Sequence, residues 1–320
     1  MHWRKQLKVR SVIVMCLASM VIFYFSAAQA EPILQEISHS VGEKHRRYSI
    51  HNVSTKSRPL VVVLHGWRRS GQAIRGKGKL DEDLFAGLDN LAITEEFTTV
   101  YPVAMNGVWN LTAGLKSKAW GNAEPPDDVA FISSLIMRLI DEKVADSKRI
   151  YLTGFSNGAI MSYRLLCTIG DTFAAAAPIS GTMSVTTRDN CNTGILPPLF
   201  AMMGTEDPIL PYDGWLDPLG GELSIPEVFR LWSEQFGCKG QTAKALQSSQ
   251  ASLSRVRSIS WTDCNAGKAK ALKLFRIEGG GHRVATFKRG AKRWDKRFGT
   301  QNTDIDASIE VWKFLKQFSK

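Results

Sequence analysis

The chain has 320 residues with 44% hydrophobic content, and it carries a formal net charge of +11 at pH 7. This length and hydrophobic content are enough to bury one sizeable core. The positive charge indicates either affinity for an anionic surface or acidic polymer, or a solvated basic face, and we favour the solvated face. The one dense basic stretch runs from Lys288 to Arg297. No nucleic-acid-binding motif accompanies it, so no nucleic acid partner is expected.

The N-terminus has the pattern of an export signal. The first ten residues hold four basic side chains: Arg4, Lys5, Lys8 and Arg10. Residues 11–25 are nearly all apolar, and Ala28-Gln29-Ala30 supplies a small-residue cleavage site. An uncleaved membrane anchor is the alternative, but the apolar run is shorter than the ~20 residues that a membrane span needs. We therefore predict a signal peptide over residues 1–30 and a single mature domain over residues 31–320. After processing, we expect no membrane span and a secreted or periplasmic location.

Downstream of the predicted signal, short apolar strands alternate with amphipathic helices. In chain order, strands are predicted over residues 47–51, 60–64, 97–101, 149–153, 174–179, 198–203 and 272–277. Helices are predicted from Asp127 or Asp128 onward, over residues 159–167 and over residues 305–318. This alternation predicts an α/β fold with a mainly parallel sheet and helices on both faces.

The sequence Gly154-Phe155-Ser156-Asn157-Gly158 stands between the fourth of these strands and the helix that follows it. Gly-x-Ser-x-Gly on a strand-to-helix turn is typical of a nucleophile elbow. The turn is so tight that the residues two before and two after the serine must be small, and it lifts the hydroxyl clear of the sheet. Ser156 is therefore the predicted nucleophile.

A serine nucleophile needs a base, and the base needs an acid that orients it. In this fold class the chain order is serine, then Asp or Glu, then histidine. Of the six histidines only His282 lies after Ser156, in a glycine-rich loop, and a surface histidine without a role is the alternative. The acid is predicted to be Asp207, which follows an apolar strand. Three nearby acids are rivals for this role: Glu206, Asp213 and Asp217.

The oxyanion of a tetrahedral intermediate requires preorganised donors. We predict the backbone N–H of Asn157, directly after the nucleophile, and that of Trp67, in the loop after the second predicted strand. His65 in the same loop is expected to be a buried imidazole that bonds loop backbone. This constellation predicts acyl transfer to water through an acyl-enzyme, without a metal or organic cofactor.

Four cysteines follow the predicted cleavage site: Cys167, Cys191, Cys238 and Cys264. An even number in an exported chain indicates disulfides, and three pairings are possible. The sequence-local choices are Cys167 with Cys191 and Cys238 with Cys264. None of the four has the C-x-x-C spacing of a metal site, so we interpret them as structural.

Taken in order, these motifs resemble the secreted polyhydroxybutyrate depolymerase and feruloyl esterase group of α/β-hydrolases. The matching segments are Leu64-His65-Gly66, Tyr101-Pro102 with Trp109-Asn110, residues 127–132, residues 154–159, residues 204–212, Gly279-Gly280-Gly281-His282 and residues 304–308. The resemblance implies an ester hydrolase with Ser156, Asp207 and His282 as its triad, and it supports the two sequence-local disulfides. It leaves open whether the substrate is a feruloyl-type ester on a polysaccharide or a short 3-hydroxybutyrate-type ester.

Two departures from the group's pattern concern the substrate side of the site. Arg283-Val284-Ala285 follows the histidine where the group has Trp-Pro-Gly, which predicts a smaller and more basic wall with a solvated arginine. Trp67 stands where many members have cysteine. No linker or surface-binding segment is evident, so soluble or oligomeric esters are expected rather than a crystalline polyester. A serine peptidase of the same fold and a non-catalytic binding protein are the alternatives.

Overall fold

A ten-stranded sheet runs through the part of the chain that the computed structural model describes. The described residues are 37–41, 44–67, 82–111, 124–192, 194–217, 220–249, 252–265 and 271–320, so the predicted signal peptide lies outside them. The strands are β1 (Ile37–Val41), β2 (Lys44–His51), β3 (Arg58–Leu64), β4 (Thr98–Pro102), β5 (Ala145–Phe155), β6 (Ala175–Ile179), β7 (Leu199–Gly204), β8 (Trp215–Asp217), β9 (Gly220–Glu222), β10 (Gly240–Ala245), β11 (Arg255–Thr262) and β12 (Leu272–Glu278). Each of the seven predicted strands has a counterpart among them.

Parallel strands form the centre of this sheet, and antiparallel strands flank it on both sides. Among the described residues the order is β1-β2-β4-β3-β5-β6-β7-β12-β11-β10, while β8 and β9 form a separate hairpin. The pairings from β4 through β12 are parallel. The remaining pairings, at the two edges, are antiparallel. The prediction of a mainly parallel sheet is confirmed, and the edges add antiparallel strands that the sequence pattern does not indicate.

Helices cover both faces of the sheet. They are α1 (Glu82–Thr94), α2 (Asp128–Asp141), α3 (Asn157–Ile169), α4 (Val185–Asp189), α5 (Ile225–Phe236), α6 (Asp295–Phe298) and α7 (Ala307–Leu315). Side chains of α2, α3 and α5 belong to one core, and those of α1 and α7 belong to a second core. The sheet therefore separates two hydrophobic layers, as the α/β class requires.

Strand β3 shows why its sequence is a continuous apolar run. Leu60, Val62 and Leu64 pack into the first core, and the intervening Val61 and Val63 pack into the second. Successive side chains of a strand point to opposite faces, so a strand covered on both faces must be apolar at every position. The same logic holds for β7, whose six residues are all buried.

The start of α2 separates two adjacent acids that the sequence could not distinguish as caps. Asp127 is the N-cap, and its side chain accepts a hydrogen bond from the Ala130 N–H. Asp128 instead points inward, where its carboxylate lies 2.6 Å from the Arg46 guanidinium of β2 and accepts the Asn110 N–H. The first acid thus stabilises the helix end, and the second ties α2 to the sheet edge.

The four cysteines form two disulfides, Cys167–Cys191 and Cys238–Cys264. The first joins the end of α3 to the segment after α4, and the second joins the segments after α5 and β11. None of the helices in the described ranges combines the length and hydropathy that a membrane-spanning helix requires. The same ranges contain no cluster of three or more histidine, cysteine or acidic side chains arranged to hold a metal ion.

Candidate active site

Three side chains from three loops form a hydrogen-bonded chain at the carboxyl edge of the parallel strands. His282 Nε2 lies 2.8 Å from Ser156 Oγ, and His282 Nδ1 lies 2.6 Å from Asp207 Oδ2. Ser156 follows β5, Asp207 follows β7 and His282 follows β12, so the parallel topology brings together residues up to 126 positions apart. The structure therefore places the three predicted triad residues in contact.

Ser156 sits in a backbone conformation that L-residues rarely adopt. Its φ is 57° and its ψ is −121°, at the junction between β5 and α3. A β-carbon added at Gly154 would lie 2.6 Å from the Gly158 carbonyl oxygen, and one at Gly158 would lie 2.2 Å from the Leu64 carbonyl oxygen. Such distances are far inside van der Waals contact. Both flanking glycines are thus required by close backbone approach, and the strain at Ser156 is typical of a nucleophile elbow.

Asp207 uses both of its oxygens. While Oδ2 accepts from His282, Oδ1 accepts the backbone N–H groups of Ile209 and Leu210, each at 2.8 Å. The Asp207 side chain is fully buried, so these donors replace the water that the carboxylate would otherwise bind. The rivals Glu206 and Asp213 are both exposed on the same loop. Two fixed donors therefore orient the carboxylate towards the imidazole.

Backbone hydrogen bonds fix the loop that carries His282. The His282 N–H donates to Phe298 O at 2.6 Å, and the Gly281 N–H donates to Thr300 O at 2.8 Å. The Phe155 ring packs against the imidazole with 5.1 Å between ring centroids. Thr205 also connects the acid and histidine loops, because its hydroxyl accepts the Gly279 N–H at 3.0 Å. Thr205 belongs to the matching segment 204–212, yet nothing in the sequence around it predicts this contact.

The expectation of a solvated Arg283 in a basic wall is wrong. Its side chain is only 3% exposed, and its guanidinium lies 2.8 Å from Asp295 Oδ1 and 3.0 Å from Gln301 Oε1. Val284 and Ala285 are buried as well. Burying a guanidinium requires such partners, and both come from residues further along the chain. Arg283 therefore stabilises the histidine loop through these buried contacts.

The predicted oxyanion donors lie on the two sides of the elbow. Asn157 is the first residue of α3, and the first N–H groups of a helix have no intrahelical acceptor. The turn of His65 and Gly66 packs against the elbow, since a β-carbon at Gly66 would lie 3.5 Å from Ser156 Cβ. Trp67 follows this turn, with its side chain 61% exposed. The N-terminus of α3 and the turn after β3 thus both adjoin Ser156.

His65 is buried beneath this turn, and both of its ring nitrogens contact loop backbone. Its Nε2 accepts the Ala104 N–H at 3.1 Å, which makes Nδ1 the protonated nitrogen, and Nδ1 donates to Gly66 O at 2.7 Å. Trp109 packs against the ring, donates its indole N–H to His65 O, and donates its backbone N–H to the Asn157 side chain. His65 and Trp109 therefore support the elbow from below, as the sequence predicted for His65.

Comparison with known proteins agrees with this architecture. A family model described as phospholipase/carboxylesterase matches residues 45–214, which is more than half of the chain. Feruloyl esterase B of Piromyces equi is 27% identical over 217 residues, which cover 64% of this chain and 35% of that protein. Poly(3-hydroxyalkanoate) depolymerase C of Paucimonas lemoignei is 31% identical over 129 residues, covering 38% and 28% respectively. The resemblance stated from the motifs is thus confirmed.

A solved structure supports the fold independently. The acetyl xylan esterase from Aspergillus awamori superimposes with a TM-score of 0.53 at 17% identity, covering 78% of this chain and 94% of that one. The curated relatives are longer proteins, and this chain spans about a third of their length. The chain belongs to the phospholipase/carboxylesterase family, and its fold is that of the α/β-hydrolases.

Proposed function

We propose that this protein is an exported serine ester hydrolase that works through Ser156, His282 and Asp207. The observation that carries the proposal is the continuous hydrogen-bonded chain from Ser156 Oγ through the imidazole to the Asp207 carboxylate. Its distances of 2.8 and 2.6 Å are those of a base within reach of its nucleophile and of an acid that fixes the tautomer. The strained elbow presents the hydroxyl at the N-terminus of α3.

The proposed reaction has two acyl-transfer steps. His282 Nε2 removes the Ser156 proton as Oγ attacks the ester carbonyl, and the resulting imidazolium protonates the departing alcohol. Water then attacks the acyl-serine ester, with the same nitrogen first accepting a water proton and then returning it to Ser156 Oγ. The acid product leaves and the enzyme is restored. Throughout, Asp207 holds Nδ1 protonated and stabilises the imidazolium.

The oxyanion of each tetrahedral intermediate is assigned to the backbone N–H groups of Asn157 and Trp67. The assignment rests on their position at the two elements that border Ser156. Dipoles at a helix N-terminus favour negative charge, so the start of α3 suits the developing oxyanion. Both proposed donors are backbone N–H groups, so they depend on the course of the backbone and not on which side chain stands at each position.

Two ester classes are proposed as substrates, and export is proposed with them. The relatives' names point to feruloyl esters and to poly(3-hydroxyalkanoate) esters. The two disulfides fit an oxidising compartment, and residues 1–30 have the pattern of a cleaved signal peptide. A secreted or periplasmic location follows from these two features.

Hydrolysis by the purified mature protein, beside Ser156→Ala, tests the proposal. The panel contains p-nitrophenyl acetate and butyrate, methyl ferulate, 3-hydroxybutyrate oligomers and a peptide anilide. We expect cleavage of an ester that Ser156→Ala does not cleave, and the preferred ester decides between the two classes. Equal rates for both proteins on every compound would refute the proposal and favour a binding protein. Preference for the anilide would instead make the protein a peptidase.

A further inference from the structure

A cationic lobe begins and ends beside the catalytic histidine. We define it as residues 286–298, which leave the sheet edge just after His282 and return to it at Phe298. The return is direct, because Phe298 O accepts the His282 N–H at 2.6 Å. Any molecule held by this lobe is therefore held next to the site proposed for ester cleavage.

The base of the lobe is closed by polar contacts. Gln301 links its two arms, since Oε1 accepts the Gly290 N–H at 2.7 Å and Nε2 donates to Val284 O at 2.9 Å. Asp295 accepts from Arg283 at 2.8 Å and from Arg289 at 2.7 Å. These contacts fix the base of the lobe, and the outer side chains project from this base.

The outer surface carries positive charge without internal compensation. The lobe holds six basic residues, Lys288, Arg289, Lys292, Arg293, Lys296 and Arg297, against one acid, Asp295. That acid is already shared between Arg283 and Arg289. The other five basic residues are exposed, and none of them forms an ion pair within the described ranges. The lobe, whose C-terminal end contacts His282, thus presents five exposed cations without an ion-pair partner among the described residues.

Four of these cations lie on one short helical segment. Lys292 and Arg293 lie in a 3₁₀ turn over Lys292–Trp294, which continues directly into α6, where Lys296 and Arg297 lie. Like charges so close together in the chain repel. Arg293 lies over the Trp294 ring and Arg297 over the Phe298 ring, at 5.6 and 5.2 Å from their centroids. An anionic partner would relieve the repulsion among these cations.

We propose that the cationic lobe binds a carboxylate-bearing polysaccharide, and that the ester cleaved at Ser156 is carried by this acidic polymer. The proposal rests on the proposed function, because it names the substrate class of the same site. A chain with repeated carboxylates places several negative charges against these cations while one of its ester groups reaches Ser156. A polymer fits this arrangement better than a small ester, since the exposed cations extend beyond the residues that contact His282.

The experiment measures binding separately from cleavage, with the Ser156→Ala protein and fluorescein-labelled oligogalacturonate. A neutral xylo-oligosaccharide with the same label is the uncharged comparison. The lobe variant is Lys288→Gln/Lys292→Gln/Lys296→Gln, and the matched control is Lys56→Gln/Lys239→Gln/Lys244→Gln, three exposed lysines outside the lobe. A Lys→Arg triple at the lobe positions retains the charge. Thermal unfolding verifies that all three variants fold.

We expect oligogalacturonate to bind and the neutral sugar not to bind. The lobe Gln variant should weaken binding about tenfold and reduce its salt dependence, while the Lys→Arg triple retains binding. The control variant should stay within about twofold of the parent, because it removes the same amount of charge from positions outside the lobe. Equal weakening by the control would attribute binding to net charge and overturn the proposal. So would absence of binding, or tighter lobe-dependent binding of anionic lipid vesicles or DNA.

Parallel assays with wild-type protein separate this proposal from the proposed function. Hydrolysis of methyl ferulate or p-nitrophenyl acetate without oligogalacturonate binding refutes only the polymer assignment. Lobe-dependent binding without hydrolysis of any ester refutes the esterase and leaves a carbohydrate-binding protein. When both hold, the ratio of kcat/KM for acetylated polygalacturonate to that for p-nitrophenyl acetate should fall about tenfold in the lobe variant, and an unchanged ratio would contradict the link.

Discussion

The described part of the chain holds two buried histidine–aspartate pairs, and one of the two contacts the hydroxyl of the proposed nucleophile. His282 and Asp207 lie at the carboxyl edge of the sheet. His51 is the last residue of β2, Asp89 lies in α1, and these two side chains contact each other. All four residues are at least nine-tenths buried. Burial and residue type are therefore the same in both pairs, and the difference must lie in how the hydrogen bonds run.

In the second pair the hydroxyl groups bond the acid rather than the base. Asp89 Oδ1 accepts from Thr99 Oγ1 at 2.9 Å and from Tyr101 OH at 2.7 Å. His51 Nδ1 lies 3.2 Å from the same oxygen without forming a hydrogen bond. In the first pair, by contrast, His282 stands between the acid and the Ser156 hydroxyl. A histidine that can accept the hydroxyl proton distinguishes a catalytic relay from a structural cluster.

The largest expected effect separates the two histidines. His282→Gln removes the proposed base and should lower kcat for p-nitrophenyl acetate about 10⁴-fold. His51 contacts no proposed reacting group, so kcat of the His51→Gln variant should stay within about threefold of wild type. Steady-state kinetics on both purified variants provides the measurement. A loss in His51→Gln as large as that in His282→Gln would break the distinction between the pairs.

The two acids should differ almost as strongly. Asp207→Asn no longer favours the Nδ1-protonated tautomer, so kcat should fall about 10³- to 10⁴-fold. Asp89→Asn keeps an acceptor for the two hydroxyls and should leave kcat nearly unchanged. The pH profile of kcat/KM is the readout, measured alongside thermal unfolding. Near-wild-type turnover by Asp207→Asn would transfer the orienting role to another acid.

A third buried acid sharpens the comparison, because it has still fewer partners. Glu222 Oε2 has no hydrogen-bond partner within the described ranges, and burial raises the pKa of this carboxyl to about 8. The folded protein keeps a proton that the unfolded chain releases near pH 4.5. The stabilisation associated with this retained proton is therefore fully present below about pH 4.5. It is lost as the pH rises towards about 8, and the unfolding free energy falls by at most ~1.4 kcal/mol per pH unit.

Glu222→Gln should remove this pH dependence. We expect the variant to exceed wild type in unfolding free energy by a few kcal/mol at pH 8, with a difference that shrinks towards pH 5. Urea unfolding across this range is the measurement, and Glu124→Gln, an exposed glutamate with the same chemical change, is the control. Parallel curves for Glu222→Gln and wild type would show that Glu222 ionises normally.

The smallest expected effect concerns the structural pair alone. Asp89→Ala leaves the Thr99 and Tyr101 hydroxyls without their shared acceptor, which should cost about 2 kcal/mol of unfolding free energy. Asp89→Asn preserves an acceptor and should cost less. Urea midpoints of the two variants test this order. If both were as stable as wild type, the cluster around Asp89 would contribute nothing measurable.

The sequence was most informative where one residue type must stand at one place in the fold. Gly154 and Gly158 are dictated by contacts with neighbouring backbone, and the order of Ser156, Asp207 and His282 follows from the strand order. These constraints are local or topological, and a pattern can express them. The parallel centre of the sheet was predictable for the same reason, because strands buried on both faces are continuously apolar.

The sequence was least informative where partners are chosen by tertiary packing. Arg283 follows the histidine and looks solvated, yet its acceptors come 12 and 18 residues later. The edge strand β10 has almost no buried side chain, so it shows no apolar alternation. The helix α5 carries a capping box at Ser224, which is a signal that the alternation alone does not include.

Covalent labelling with an alkyl fluorophosphonate, mapped by peptide mass spectrometry, tests the central claim most directly. The reagent reports an activated serine whatever the natural ester is. We predict a single adduct on Ser156, none on Ser156→Ala, a much slower reaction in His282→Gln and an unchanged rate in His51→Gln. An adduct on another residue, or equal labelling of wild type and Ser156→Ala, would contradict the assignment of Ser156 as the nucleophile.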